Sequence, residues 1–175
     1  MNFRPLARSD YATLIEWRCA AHVSEWFGGE PSDLATAEAK YGPRIDGMSP
    51  TRMHVLEVKG VAVGYMQHYL VRDYPEYLAA VGDRDAAAVD FMIGSSSHVG
   101  IGLGPAAIKE YVERVLHLAH PNVPRVVSTP DVANHRSIRA LEKAGFHQVA
   151  TIVVVGKPER LLIREFATRP PPSDG

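Results

Sequence analysis

Residues 98–105 read HVGIGLGP, with glycine at every second position from Gly100 to Gly104 and a proline directly after. So much bare backbone constrains its surroundings. The stretch AAVDFMIG (87–94) ahead of it is short and apolar and reads as a buried strand. Behind it, Ile108, Tyr111, Val112, Val115, Leu118 and Ala119 recur at helical spacing. Pro105 suits the first helical position, where its missing N–H costs nothing. Such a strand–glycine–helix unit points unpaired N–H groups outward at the positive end of a helix dipole. Without Cβ atoms, Gly100, Gly102 and Gly104 let a phosphate come close, so the unit reads as a pyrophosphate cradle, with a flexible loop as the plain alternative.

Two familiar phosphate folds fit poorly. A P-loop needs Lys-Ser/Thr after its last glycine, and Pro105-Ala106 stands there. A dinucleotide fingerprint needs a tight turn straight from the strand and an acid about 20 residues on. Here Ser95 to Val99 intervene, and the first plausible strand-end acid, Asp131, comes too late.

The remaining chain predicts a mixed α/β sheet with helices on both faces. Residues 2–7 read as a strand. Ser9 or Asp10 can cap a helix carrying Leu14, Trp17 and Ala21, and EWFGGEPSD (25–33) reads as a turn-rich break. Ser32 can cap a second helix over 33–46. Segments 53–58 and 61–71 read as strands joined at Lys59-Gly60, and 72–85 as an irregular loop. Residues 125–129 form a strand, Asn134 caps a helix ending at Gly145, and 146–155 with 160–166 form a final hairpin. One domain over 1–168 and a disordered tail over 169–175 are expected.

Composition narrows the class. A formal net charge of −1 gives no reason to expect nucleic-acid or membrane binding. The single cysteine, Cys19, excludes an internal disulfide and suits a reducing compartment. MNFRPLARSD lacks the apolar core of a signal peptide, and no apolar run reaches the ~20 residues of a spanning helix, so a cytoplasmic protein is expected. The eight histidines show no metal-type spacing, and no metal is expected.

NHRSIRALEKAGF (134–146) resembles the second coenzyme-binding segment of the GNAT N-acetyltransferases, and the glycine stretch resembles their pyrophosphate loop, with Val99 in place of the usual Arg/Gln. LIEWRCAAHVSEWFGGE (14–30) is similar to the helix pair of aminoglycoside 6'-N-acetyltransferases, as are VAVGYMQHY (61–69) and AVDFMIG (88–94). The resemblance covers roughly residues 5–166. It implies the GNAT fold, a mixed and mostly antiparallel sheet of six to seven strands. It also implies acetyl-CoA as co-substrate, a small-molecule amine as acceptor, and a monomer or homodimer.

The resemblance places Asp90 as general base for a primary amine, most simply the 6'-amine of an aminoglycoside. An acid within the apolar strand residues Val89, Phe91, Met92 and Ile93 is compatible, because burial is unfavourable unless the group is paired or functional. A solvent-facing acid on an alternating strand is the other reading. Backbone N–H groups at Met92 or Ile93 would polarise the thioester carbonyl. Val99, Gly100, Ile101, Gly102, Leu103, Gly104 and Pro105 would hold the pyrophosphate. Asn134 would bond the pantetheine arm or serve only as an N-cap. Arg136 would reach a coenzyme phosphate, while Arg139 reads as a solvated residue.

Acids outnumber bases over 73–90, whereas 100–145 holds six Lys/Arg against four acids. An acidic loop beside a mildly basic coenzyme half suits a cationic acceptor, with Asp73 and Glu76 in contact. Glu25, Trp26 and Phe27 would add to the acceptor pocket, although packing between helices also explains Trp26. Three positions depart from the aminoglycoside pattern. Thr129 stands for an Asp, Gly156 for a hairpin acid, and Leu141 for a Tyr that can protonate the leaving thiolate. Two other readings stay open: an acyltransferase for a siderophore-type lysine or another small amine, and a catalytically silent CoA-binding domain.

Overall fold

The computed structural model describes residues 1–166; the expected tail at 169–175 lies outside them. Strands β1 (Asn2–Pro5), β2 (Arg52–Val58), β3 (Val61–Leu70), β4 (Ala87–Ile93), β5 (Arg125–Ser128), β6 (His147–Val154) and β7 (Lys157–Glu165) form one sheet in the order β1-β2-β3-β4-β5-β7-β6. Every neighbouring pair is antiparallel except β4 and β5, which run parallel. The mixed sheet agrees with the expected class.

Alternation along β3 divides the core. Tyr65 joins Leu14, Trp17, Val23, Ala37 and Tyr41 from α1 (Tyr11–Cys19), α2 (Ala21–Phe27) and α3 (Leu34–Ile45). Met66 faces the other way, toward Ile108 and Tyr111 of α5 (Leu103–Tyr111) and Ile138 and Leu141 of α7 (His135–Lys143). After α5 the helical path runs through a π turn, Val112–Leu116, into α6 (His117–Ala119). Apolar stripes buried against both faces of one sheet supply the main driving force for this layering.

Several boundaries differ from the sequence reading. The break expected at 25–33 starts only at Gly28, because Glu25, Trp26 and Phe27 accept helical geometry and close α2. The α3 cap is Asp33 rather than Ser32, and its carboxylate accepts the Thr36 N–H at 2.8 Å. The irregular loop at 72–85 contains α4 (Pro75–Val81), opened by Pro75 and stopped by left-handed Gly82. Helix α5 starts at Leu103 with Gly102 as N-cap, so Pro105 is its third residue. That position is equally tolerant, since the first four N–H groups of a helix have no intrahelical partner. The last strand begins at Lys157, which shortens the hairpin turn to Val155-Gly156.

The opening in this frame lies beside β4. Ala88 packs with Tyr77, Leu78 and Val81 of α4, and Met92 packs with the α1–α3 layer. Asp90 falls between these two covers. Strands β4 and β5 pair at Ala87–Val126 and Ala88–Val127, and β4 then continues beyond that pairing. Successive side chains of a strand point to opposite faces, so Ala88, Asp90 and Met92 share one.

Candidate active site

Two clefts meet beside the unpaired part of β4. The larger, about 550 Å³, runs between α2, the end of β4, the glycine loop and α7. The smaller, about 370 Å³, lies between α1–α3, the middle of β3 and β4, the end of β5 and the β6–β7 hairpin. Trp26, Phe27, Phe91, Asn134 and Ser137 line both and so form the junction.

The larger cleft is suited to an anion. Gly100 and Gly102 have φ of +82° and +85°, with open space where a Cβ would stand. Side chains disfavour this left-handed backbone. Gly102 caps α5 without a side-chain bond, which leaves first-turn N–H groups facing outward. Arg136, Arg139 and Lys143 line the same cleft from α7. Their spacing sets them on one helix face, and Arg139, expected to be solvated, is exposed and also borders this cleft. Asn134 is the N-cap of α7 and also faces the clefts. Its side-chain oxygen accepts the Ser137 N–H at 3.0 Å, and the residue lines both clefts.

Most residues expected at the coenzyme site are in this cleft: Met92, Ile93, Val99, Gly100, Gly102, Gly104, Pro105, Asn134 and Arg136. Ile101 and Leu103 line neither cleft. Ile101 is exposed, and Leu103 packs against Leu56, Val63 and Ala107. Glu25 lines the larger cleft, while Trp26 and Phe27 belong to both. Asp73 and Glu76 line neither; they are exposed at the start of α4. His98 lines the larger cleft, whereas His68 is buried in the core.

Asp90 lines the smaller cleft, and its Oδ2 accepts from Gln67 Nε2 at 2.7 Å. Arg44 donates to Gln67 Oε1 at 2.8 Å, which completes an Arg44–Gln67–Asp90 chain. Burial pushes the Asp90 carboxyl above its ordinary range, and the Gln67 bond, the Arg44 charge and Tyr69 hold it back in part. Tyr69 and Tyr77 stay protonated beside it, raised first by burial and then by the Asp90 charge. A carboxyl raised in this way is a stronger proton acceptor than an ordinary solvent-exposed carboxylate.

The sequence reading missed most of this cleft. Asp131 and Glu159 bridge β-fashion across its rim and line it. Burial raises Glu159 as well, with Asp90 and Asp131 adding to the effect and a Thr129 hydrogen bond opposing it. The acidic character absent at Thr129 and Gly156 is therefore present two and three residues away. Arg18, Lys40 and Arg44 form the helical wall. A signal for Lys40 and Arg44 was available: both flank the Ala37–Tyr41 stripe that α3 buries. Among the described residues, no group of His, Cys, Asp or Glu side chains is arranged to hold a metal ion. No helix among them is long and apolar enough to cross a membrane.

Known proteins share this architecture. The family model of the acetyltransferase (GNAT) domain matches residues 7–154. An aminoglycoside N(6')-acetyltransferase type 1 from Klebsiella pneumoniae is 26% identical over 167 residues, covering 94% of this chain and 82% of its own length. A crystal structure of the aminoglycoside acetyltransferase AAC(6')-Ib with coenzyme A and kanamycin superposes with a TM-score of 0.83 at 25% identity, covering 94% of each chain. A spermidine N-acetyltransferase chimera from Vibrio cholerae shares the fold, with a TM-score of 0.69 at 17% identity over 94% of each chain.

Proposed function

This chain belongs to the acetyltransferase (GNAT) domain family, and from that premise we propose that it moves an acetyl group from acetyl-CoA to a primary amine of a small cationic acceptor, with Asp90 as the base. The observation that carries the reading is the position of Asp90 beside the junction of an anion-suited cleft and a polar one. The coenzyme pyrophosphate lies against Gly100, Gly102 and the first turn of α5. Arg136, Arg139 and Lys143 supply positive charge to the phosphates. The pantetheine arm passes Asn134, whose amide nitrogen has no partner among the described residues and can donate. The thioester carbonyl meets a backbone N–H at Met92 or Ile93, where donors fixed in advance favour the charge that develops on oxygen.

The acceptor enters through the smaller cleft as an ammonium ion, drawn by Asp90, Asp131 and Glu159. Asp90 accepts one proton, the neutral nitrogen attacks the carbonyl carbon, a C–N bond forms as the C–S bond breaks, and the nitrogen sheds its second proton to solvent as the amide forms. The coenzyme departs as a thiolate that takes its proton from solvent, because the buried Leu141 offers no acid. Relatives that bear the name aminoglycoside 6'-N-acetyltransferase make the 6'-amine of an aminoglycoside the first acceptor to test. A second acceptor class, an amine that also bears an acid, is favoured by the cations on the helical wall.

The test is thiol release from acetyl-CoA with kanamycin, ribostamycin, spermidine and amino-acid amines. Release with one or more of them, at one acetylated amine per thiol, supports the reading. Tight coenzyme binding with no release from any acceptor would leave a silent coenzyme-binding domain.

A further inference from the structure

The helical wall of the smaller cleft carries Arg18, Lys40 and Arg44. Elsewhere the described arginines with ion-pair partners are Arg4, Arg8, Arg114, Arg125 and Arg164. These three cleft cations have no ion-pair partner among the described residues. Arg18 is buried and donates to the carbonyl oxygens of Glu30 and Phe27, both at 2.7 Å, which fixes its guanidinium in place. Arg44 uses one nitrogen on Gln67 and Met53, and its other N–H groups have no partner among the described residues. Lys40 lies above the Tyr41 ring at 5.8 Å, and Arg44 faces the same ring at 5.6 Å. The Lys40 ammonium is lowered first by burial and then by the Arg18 and Arg44 charges, with the Glu30 charge opposing them in part, which places the three cations within reach of one another.

Like charges gathered on one wall of a cavity are unfavourable without a counter-charge. Across the cavity stand Asp90, Asp131 and Glu159, beside Lys157. The cleft is therefore bipolar. An acceptor that is cationic throughout would satisfy only the acid side. From this we infer that the acceptor is a zwitterion, with its reacting amine at Asp90 and a carboxylate held by Lys40 and the free N–H groups of Arg44. The inference rests on the acetyltransferase reading and narrows its substrate. Arg44 is two hydrogen bonds from Asp90 through Gln67, so an amine and a carboxylate separated by a short aliphatic chain span the site. Guanidinium groups recognise carboxylates in a bidentate way, and Arg18 adds positive field from behind.

The experiment compares lysine, lysine amide and 1,5-diaminopentane by thiol release, with kanamycin as a further acceptor. The three share a chain length and differ in the carboxylate. Lysine carries the least positive charge, so the acid side alone would rank it last. The expected result is a kcat/KM for lysine at least about 10-fold above that for lysine amide, equivalent to about 1.4 kcal/mol. In Lys40→Glu that ratio falls to about one or below, with the change in KM. Equal or amide-favouring rates in the wild type, or a ratio unmoved by Lys40→Glu, overturn the inference. Kanamycin turnover without lysine turnover also overturns it and leaves acetyl transfer standing. Release with no acceptor of any class removes both.

Discussion

The two clefts meet at five residues and are built on opposite plans. The proposed coenzyme side is shaped mainly by backbone, with two left-handed glycines, the open first turn of α5 and the part of β4 beyond its pairing with β5, and α7 adds the charges of Arg136, Arg139 and Lys143. The acceptor side is made of side chains from Arg18 to Glu159, gathered from five helices and five strands. Where the coenzyme side needs a positive φ, the chain places glycine. Where the acceptor rim needs two in a row, at the β6–β7 turn, it places glycine at the second position, Gly156, but Val155 at the first. One half obeys local backbone rules, and the other is assembled by topology and holds charge and strain.

The largest expected effect is at Asp90. Asp90→Asn keeps the Gln67 contact in size but cannot take a proton. General bases typically contribute 10²–10⁴-fold, so turnover falls by about that factor. If the halves are separate, coenzyme affinity is unchanged within about twofold, measured by calorimetry with coenzyme A. Stability also responds in sign. Burial raises the folded-state value of Asp90 above its unfolded one, so the folded state holds its proton more strongly, and stability falls as pH rises through that window. Removing the titration should therefore hold or raise Tm at pH 7.5. A lost coenzyme affinity would break the comparison.

Next is Gly102→Ala. A side chain at φ +85° has room but a strained backbone, with a cost of order 1–2 kcal/mol. Because this strain sits where the first-turn N–H groups are aimed, KM for acetyl-CoA should rise about 10-fold while KM for the acceptor stays. Initial-rate measurements with each substrate varied in turn distinguish the two. Equal changes in both constants would mean that the cradle also shapes the acceptor side.

How much of this was legible divides along the same line. The coenzyme cradle was readable because its parts are contiguous. Glycine spacing, the following helical period and the Asn134 cap all lie within single segments. Asp90 was readable as an acid in an apolar strand. The acceptor walls were not. Arg18, Gln67, Asp131 and Glu159 carry no local pattern and become neighbours only through strand order and the parting of β4 from β5. Asp73 and Glu76 were expected in the cleft from charge runs, yet both are exposed and line neither cleft, Asp73 just before α4 and Glu76 in its first turn. Charge along a chain reports on a cleft only when the fold turns that segment inward.

A third test lies beneath the sheet, where α5, which carries the coenzyme cradle, is tied down. The Tyr111 hydroxyl is 2.8 Å from His68 Nδ1 and 2.9 Å from His54 Nδ1. His68 is buried, and burial first, then the charges of His120, His54 and Arg52, lower it to about 3. Its folded value lies below the unfolded ~6.5. Between those values the unfolded chain binds more protons, so stability is full above about pH 6.5 and declines as pH falls, by about 1.4 kcal/mol per unit for this group. Urea midpoints at pH 7.5, 6.5 and 5.5 should decline accordingly, and His68→Gln should flatten that decline. Because α5 is the affected element, coenzyme binding should weaken before acceptor binding. A pH-independent midpoint would show that His68 is not the neutral, buried group described here.

The smallest effect is at Val155. The two-residue turn has φ of +46° at Val155 and +77° at Gly156, the signs of the hairpin turn that favours Asn-Gly. A β-branched residue in the left-handed region is an outlier, and Val155 is 83% exposed, so packing does not offset the strain. Val155→Asn should stabilise the fold by about 1 kcal/mol, read as a higher urea midpoint with an unchanged slope. The acceptor side gives that measurement its second meaning. Val154 and Lys157, on either side of the turn, line the smaller cleft, and Glu159 follows two residues on. If the strain only burdens the fold, Asn raises stability and leaves the acceptor KM alone. If the strained turn sets the position of Lys157 and Glu159, the same substitution raises that KM, and the coenzyme KM stays fixed in either case. Movement of the coenzyme constant would show that the clefts communicate through the hairpin, and the division between a backbone half and a side-chain half would have to be given up.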